Sequence, residues 1–394
     1  MGMRRKVGST KSPSVFSHEF VIQNHADIVS CVAMFMVVGL MFQVTQQTAS
    51  LFITMQHNHT EVFNDTDPPT EVTYYTNGRK DFCSVFFYLL IAIVLHAVVQ
   101  EYILDKVNRR LHLSKVKHSK FNESGQLVIF YVASVIWGSN IIFEENYITN
   151  IAQLWEGYPH TDMLFQTKFF YICQLAYWVH CFPELYFQKV KKDEMPARVQ
   201  YASLYLVFIG ATYALNLTRV GLCCMVIHYF MEALFHVSRM LYYSEKMDFA
   251  KTGFSIWAVL FVIARFLTVT LAVLTFWFGL GRAENQTFDL ATGNFNTFLI
   301  RINCLAAISL LQVWMMWNFL NFQLRRYREA TAAKQKAKQR QKERREAKLQ
   351  AAKKRGSEAS SDEGGDTDVS LTPRANNKAE NGGPRTRNRG GKKH

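Results

Sequence analysis

Proline and glycine are scarce where a soluble chain would use them to separate domains: 8 prolines and 20 glycines are spread over 394 residues, and no cluster of either divides the first 321. A phosphate-binding Gly loop, a dinucleotide fingerprint and a Gly-x-Ser-x-Gly elbow are all missing, which removes the signatures of familiar soluble nucleotide enzymes and hydrolases. The seven cysteines (Cys31, Cys83, Cys173, Cys181, Cys223, Cys224 and Cys304) fall within or at the edges of apolar runs. No disulfide framework is therefore expected in the polar loops, and packing is the expected role of these thiols. Polar and charged residues precede the first apolar run and no small-residue cleavage site follows it, so a cleavable signal peptide is not expected and that run reads as an anchor. Lys6 stands where a myristoylation motif needs Ser or Thr.

What the chain has in quantity is apolar length. A mean hydropathy of −0.04 hides two regimes, because almost all the Phe, Ile, Leu, Val and Trp lie before residue 322. Eight stretches reach the roughly 17 to 25 residues a helix needs to cross a hydrocarbon core. They run near 28–48, with an extension to Thr54 left open, then 82–103, 126–143, 167–187, 201–218, 220–240, 254–280 and 297–321. Isolated strands would leave backbone groups unpaired in lipid, and a barrel would show short alternating segments instead. The expectation is an all-α polytopic membrane bundle of about eight transmembrane helices, continued by a basic cytosolic tail that is disordered or helical.

Charge orients it. Outside the tail, seventeen Lys and Arg fall on one side of the expected spans against five (Arg79, Lys80, Lys168, Arg219 and Arg282) on the other, which places both termini in the cytosol. Asn58 and Asn64, in the longest loop on the opposite side, are the expected glycosylation sites; Asn285 shares that side, Asn216 sits in too short a turn, and Asn122 lies in a basic cytosolic loop. Beyond residue 324 the chain is rich in Ala, Lys, Arg, Gln and Glu without an apolar stripe, as in a solvated basic helix. Its excess charge fits anionic lipid headgroups, ribosomal RNA, or the topological bias alone. From 356 onward an acidic, Ser- and Gly-rich composition points to disorder. Ser360 and Ser361, before Asp362 and Glu363, are candidate phosphorylation sites that would reduce the positive charge of the tail.

Ionisable side chains inside spans are costly and mark candidate sites. His228, Glu232, His236 and Arg239 recur at helical spacing and share an arc of roughly 80° on one face of the sixth span. Gln174, Tyr177, His180 and Glu184 form a broad polar face on the fourth, where Pro183 removes a backbone donor. Arg265, near the middle of the seventh, is expected to seek a carboxylate, with Glu232 or Glu184 as partners. His180, Glu184, His228, Glu232, His236 and Arg265 thus outline an intramembrane polar cavity. His and Glu at i and i+4 are compatible with zinc or proton transfer, but a metal needs three or four ligands, so a polar cavity and simple interhelical pairing stand beside those readings. No catalytic residue, metal or cofactor is assigned.

The strings SHEFVIQNHADIVSCVAMF, LHAVVQEYILDKVNRRLHLSKVKHSKFNESGQ, KFFYICQLAYWVHCFPELYFQK, GFSIWAVLFVIARFLTV, GRAENQTFDLATGNFN and NFQLRR closely resemble the translocating chain-associated membrane protein family over about residues 9–330. Residues from about 118 also resemble the TLC domain shared with ceramide synthases. The resemblance implies a cytosolic N-terminus (1–27), a family-specific region of spans 1 and 2 (28–117), a TLC-type region of spans 3 to 8 (118–327) and a basic tail (328–394). It further implies an endoplasmic reticulum protein beside the Sec61 channel that contacts signal sequences and transmembrane segments of nascent polypeptides; the charge of the tail adds the ribosome and anionic phospholipids as candidate partners, and the polar cavity a bound phospholipid. Ceramide synthases, the competing lipid-modifying or lipid-binding reading, carry adjacent histidines followed by Asp. This chain has His228, Tyr229 and Glu232 instead, so the resemblance implies no acyl transfer here; the KKD element at Lys191 to Asp193 is kept.

Overall fold

A computed structural model describes residues 17–63 and 70–359, so that Asn64, Ser360 and Ser361 lie outside the described residues. Helices dominate, and the contacts divide into two units, one ending at Leu320 and one beginning at Asn321.

The first apolar stretch departs from the single span expected over 28–48. Helix α1 (His18–Val38) begins ten residues earlier, where the Ser17 hydroxyl accepts from the Phe20 N–H at 3.2 Å. It closes in a tight turn at Gly39–Met41, Phe42 is extended, and α2 (Gln43–Ile53) follows. A Cβ placed on Gly39 would lie 3.2 Å from that of Ala49. One continuous helix would hold those positions about 15 Å apart, so α2 turns back against the end of α1. Thr45 stabilises the reversal by donating its hydroxyl to the Gly39 carbonyl at 2.7 Å. A hydropathy window cannot register one extended residue between two apolar helices.

A ribbon follows, β1 (Asn58–Phe63) antiparallel to β2 (Thr70–Tyr75) with Thr60 opposite Thr73. Tyr75 exchanges both backbone hydrogen bonds with Met163 at 2.9 Å. Then come α3 (Asp81–Val98), a π-helical segment at Val99–Leu104, α4 (Asp105–Leu111), α5 (Lys115–Glu144), α6 (Phe165–Phe187), α7 (Met195–Ala214), α8 (Thr218–Tyr243) and α9 (Met247–Val273). A two-residue ribbon of β3 (Phe288–Asp289) and β4 (Asn294–Phe295) precedes α10 (Phe298–Ala359).

Six helical stretches among the described residues are long and apolar enough to cross a membrane: His18–Met41, Asp81–Leu111, Lys115–Glu144, Thr218–Tyr243, Met247–Arg282 and Phe298–Ala351. Helices α6 and α7 stand where the fourth and fifth spans were expected, outside that set of six. Their composition explains this, because α6 turns Lys168, Gln174, His180 and Glu184 into the protein, all buried. A helix shielded by other helices need not be apolar all round. The chain is an all-α polytopic membrane protein.

The core lies where α5, α6 and α8 meet. Tyr131, Phe170, Tyr171, Trp178, Leu222 and Tyr229 are all at most 1% exposed. Gly138 permits the approach of α5 to α8, since a Cβ there would stand 2.5 Å from a methyl of Val226. Trp178 stacks on Tyr205 of α7 with ring centroids 3.8 Å apart and donates its indole N–H to the Tyr229 hydroxyl at 3.1 Å. These rings bury large apolar area while each buried polar tip finds a partner.

The sequons differ in environment. Asn58 is exposed at the start of β1, and Asn285 is exposed in the loop before β3. Asn216 is 3% exposed; its amide donates to the Gly293 carbonyl at 2.8 Å and accepts from Asn77 at 2.9 Å. Asn122 lies inside α5, hydrogen-bonded to Asn108 and Asp105.

Candidate functional site

The six ionisable residues expected to share one cavity fall into two groups. His180 and Glu184 of α6 meet His96 of α3, whose Nδ1 lies 3.3 Å from His180 Nε2 and whose Nε2 lies 3.3 Å from Glu184 Oε1. Gln188 closes this group by donating to Glu184 at 3.0 Å.

His228, Glu232, His236 and Arg265 form the other group, on α8 and α9. Arg265 is 3% exposed, and one guanidinium nitrogen lies 3.0 Å from His228 Nδ1. A guanidinium only donates, so Nδ1 must accept and the imidazole proton must sit on Nε2. That nitrogen lies 2.6 Å from the Tyr205 hydroxyl and donates to it. Tyr205 in turn donates to Tyr201 at 3.3 Å, and Tyr201 donates to Glu232 Oε2 at 3.3 Å. The result is a directed chain from Arg265 through His228, Tyr205 and Tyr201 to Glu232, with every donor pointing toward the carboxylate. Tyr131 joins at Tyr201, 2.7 Å away. His236 Nε2 stands 3.8 Å from Glu232.

The expected direct pairing of Arg265 with a carboxylate is not what forms: among the described residues Arg265 has no acidic side chain within 4 Å. Its other amine donates to Gln312 of α10 at 2.8 Å and contacts Met315 sulfur at 3.2 Å, and the guanidinium lies over the Phe261 ring, 4.9 Å from its centroid. Two tyrosines and a histidine occupy the space between the opposite charges, with His228 Nε2 4.0 Å from Glu232 Oε1. The guanidinium Nε is buried and finds no hydrogen-bond partner among the described residues.

Beside this chain a cavity of about 330 Å³ opens between α7, α8, α9 and the part of α10 before Leu320. Tyr201, His228, Glu232, Arg265 and Gln312 make its polar wall, and Leu204, Phe208, Ile308, Leu311 and Trp314 much of the remainder. The volume lies at the small end of ligand-site sizes, and the division suits an apolar group carrying one polar end. Tyr201 and Tyr205, which the sequence reading passed over, are four residues apart on α7; that i, i+4 pair of hydroxyls was the available signal.

A third polar group was also missed. Lys168, fully buried in α6, forms an ion pair with Asp81 of α3 at 2.8 Å and donates to the backbone carbonyls of Gln56 and Thr76 at 2.7 Å each. Asp81 also accepts from the Tyr213 hydroxyl of α7 at 2.8 Å.

No group of three or more His, Cys, Asp or Glu among the described residues is arranged to hold a metal ion. Residues 120–321 match the family model of the TLC domain. Over 329 residues, 84% of this chain and 86% of the relative, the sequence is 51% identical to translocating chain-associated membrane protein 2 of Homo sapiens, and over the same length 50% identical to the protein of that name in Mus musculus. Ceramide synthase 4 of Bos taurus is 25% identical over 204 residues, 51% of this chain and 49% of that one. With so much of its length aligned at such identity, the chain belongs to the translocating chain-associated membrane protein family, and its later spans to the TLC domain.

Proposed function

We propose that this chain is an accessory component of the protein-translocation site of the endoplasmic reticulum membrane. It contacts signal sequences and transmembrane segments of nascent chains beside the Sec61 channel and assists their translocation and insertion. The observation that carries this reading is identity of 51%, sustained over 84% of the chain, with a protein named for its association with translocating chains. The cavity is physically suited to the task. A segment leaving an aqueous channel with a polar residue among apolar ones needs an apolar surface interrupted by hydrogen-bonding groups, because an unsatisfied polar group in hydrocarbon is costly. Leu204, Phe208 and Trp314 offer the first, and the wall from Glu232 to Arg265 the second.

Acyl transfer, the chemistry named for the more distant relatives, is disfavoured by His228. Both of its nitrogens are engaged, one by Arg265 and the other by Tyr205, which leaves no lone pair for a general base. The next residue is Tyr229, whose hydroxyl receives the Trp178 indole.

Replacing Glu232 and His236 together by Leu is expected to leave the protein inserted while reducing translocation of weakly hydrophobic signals in reconstituted vesicles, with strongly hydrophobic signals unaffected. Photocrosslinking of ribosome-bound secretory chains, run beside an acyl-CoA transfer assay on the purified protein, separates the two readings: transfer without crosslinks would sink the translocation role.

Both termini face the cytosol in this reading, and the β1–β2 ribbon faces the lumen. Asn58→Gln is then expected to increase electrophoretic mobility by the loss of one glycan. Asn216→Gln, at an amide already bonded on both sides, and Asn122→Gln are expected to leave it unchanged. Sugar on Asn122 would reverse the orientation.

A further inference from the structure

Between Leu324 and Ala351 every side chain is exposed and the backbone is helical throughout. Arg325 to Lys348 contains eleven Lys and Arg against three Glu, a surplus of eight in a helix about 36 Å long. Solvated helices of high charge ordinarily stabilise themselves by placing Glu four residues before Lys or Arg. Here the residues four after Glu329, Glu343 and Glu346 are Ala333, Ala347 and Gln350. The favourable register is avoided at all three positions, and none of the eleven cations forms an ion pair with a described residue. The charge is left for something outside the chain.

The distribution around the helix narrows what that is. At about 100° per residue the basic positions fall on every side of the axis. Only Leu324, Tyr327 and Leu349 are large and apolar in this stretch, so no stripe exists to enter a bilayer interface, as an interfacial helix requires. A flat anionic surface would meet one side of the cylinder and leave the other cations unmatched. Duplex RNA differs, because rows of phosphates border its wide, shallow groove on both edges, so a rod lying along it meets phosphates on two sides, and each contact releases condensed counterions.

We propose that the helix from Arg325 to Lys348 binds the phosphate backbone of duplex RNA, by charge and shape without sequence preference. The proposal is independent of the translocation reading, since binding is measured on the purified protein alone.

The test uses the full chain in nanodiscs of neutral phosphatidylcholine and a labelled RNA hairpin, followed by fluorescence anisotropy across a salt series. A variant with Lys334, Lys336, Lys338, Arg340, Lys342 and Arg344 changed to Gln keeps helix propensity, which circular dichroism verifies. Wild-type binding is expected to weaken steeply with salt. The variant is expected to bind at least about tenfold more weakly, its log–log salt slope falling by up to about five, near 0.9 per lost phosphate contact. No RNA binding at low salt, equal binding by both proteins, or complete displacement by phosphatidylserine vesicles at matched phosphate would each overturn the proposal.

Discussion

Lys168→Met is expected to destabilise the protein by about 3–5 kcal/mol, the usual consequence of leaving one member of a buried ion pair without the other. The ammonium donates to the carbonyls of Gln56 and Thr76 at 2.7 Å each and is paired with the Asp81 carboxylate at 2.8 Å. Met fills similar volume, so the loss reports electrostatics and not a cavity. Asp81 would keep the Tyr213 hydroxyl and the Gly78 N–H, at 2.8 and 2.9 Å, but lose its counter-charge. Because Gln56 and Thr76 flank the β1–β2 ribbon and Asp81 opens α3, the defect would loosen the ribbon from the helices. Thermal unfolding of the detergent-purified variant measures the effect. Asp81→Asn combined with Lys168→Met is expected to unfold at a higher temperature than Lys168→Met alone, because no uncompensated charge remains. A Lys168→Met protein as stable as the parent would show the pair to be dispensable.

The pattern of apolar length made the helices legible, because a helix in lipid announces itself by composition over its whole length. Gly39–Met41 and Phe42 escaped for the complementary reason: their departure from helix occupies a few residues that are as apolar as their neighbours. Glu232, His228 and Arg265 were identifiable as anomalous charges, and they do gather at one site. Their partners were not, since Tyr131, Tyr201 and Tyr205 read as ordinary aromatic packing until α5, α7 and α8 are brought together. His180 and Glu184 had the same signature as the α8 residues yet face α3, because spacing along one helix fixes a face but not the neighbour it meets. In the sequence Lys168 stands out only as one of five basic residues on the side opposite the termini. Its burial depends on the ribbon carbonyls folding over the end of α6, a long-range feature that no local window contains.

Arg265→Met carries the second large expected loss, about 3 kcal/mol, for a reason that pairwise contact would not suggest. Removing the guanidinium strands the acceptors His228 Nδ1 and Gln312 Oε1 in a buried setting. The imidazole is then free to move its proton to Nδ1, which reverses its role toward Tyr205 and breaks the common direction of the donors leading to Glu232. If that chain is one energetic unit, Arg265 and Glu232 are coupled although they do not touch. A double-mutant cycle with Arg265→Met and Glu232→Gln, read by thermal or denaturant unfolding, is expected to give an interaction energy of about 1 kcal/mol or more, against the near-additivity, within about 0.3–0.5 kcal/mol, of independent sites. His228→Phe should abolish most of that coupling while leaving both charges in place, since the ring remains but its two nitrogens do not. Additive losses in the parent would mean that Arg265 and Glu232 are energetically independent, and coupling that survives in the His228→Phe background would mean that the opposite charges interact directly through space and that the intervening hydroxyls only fill it.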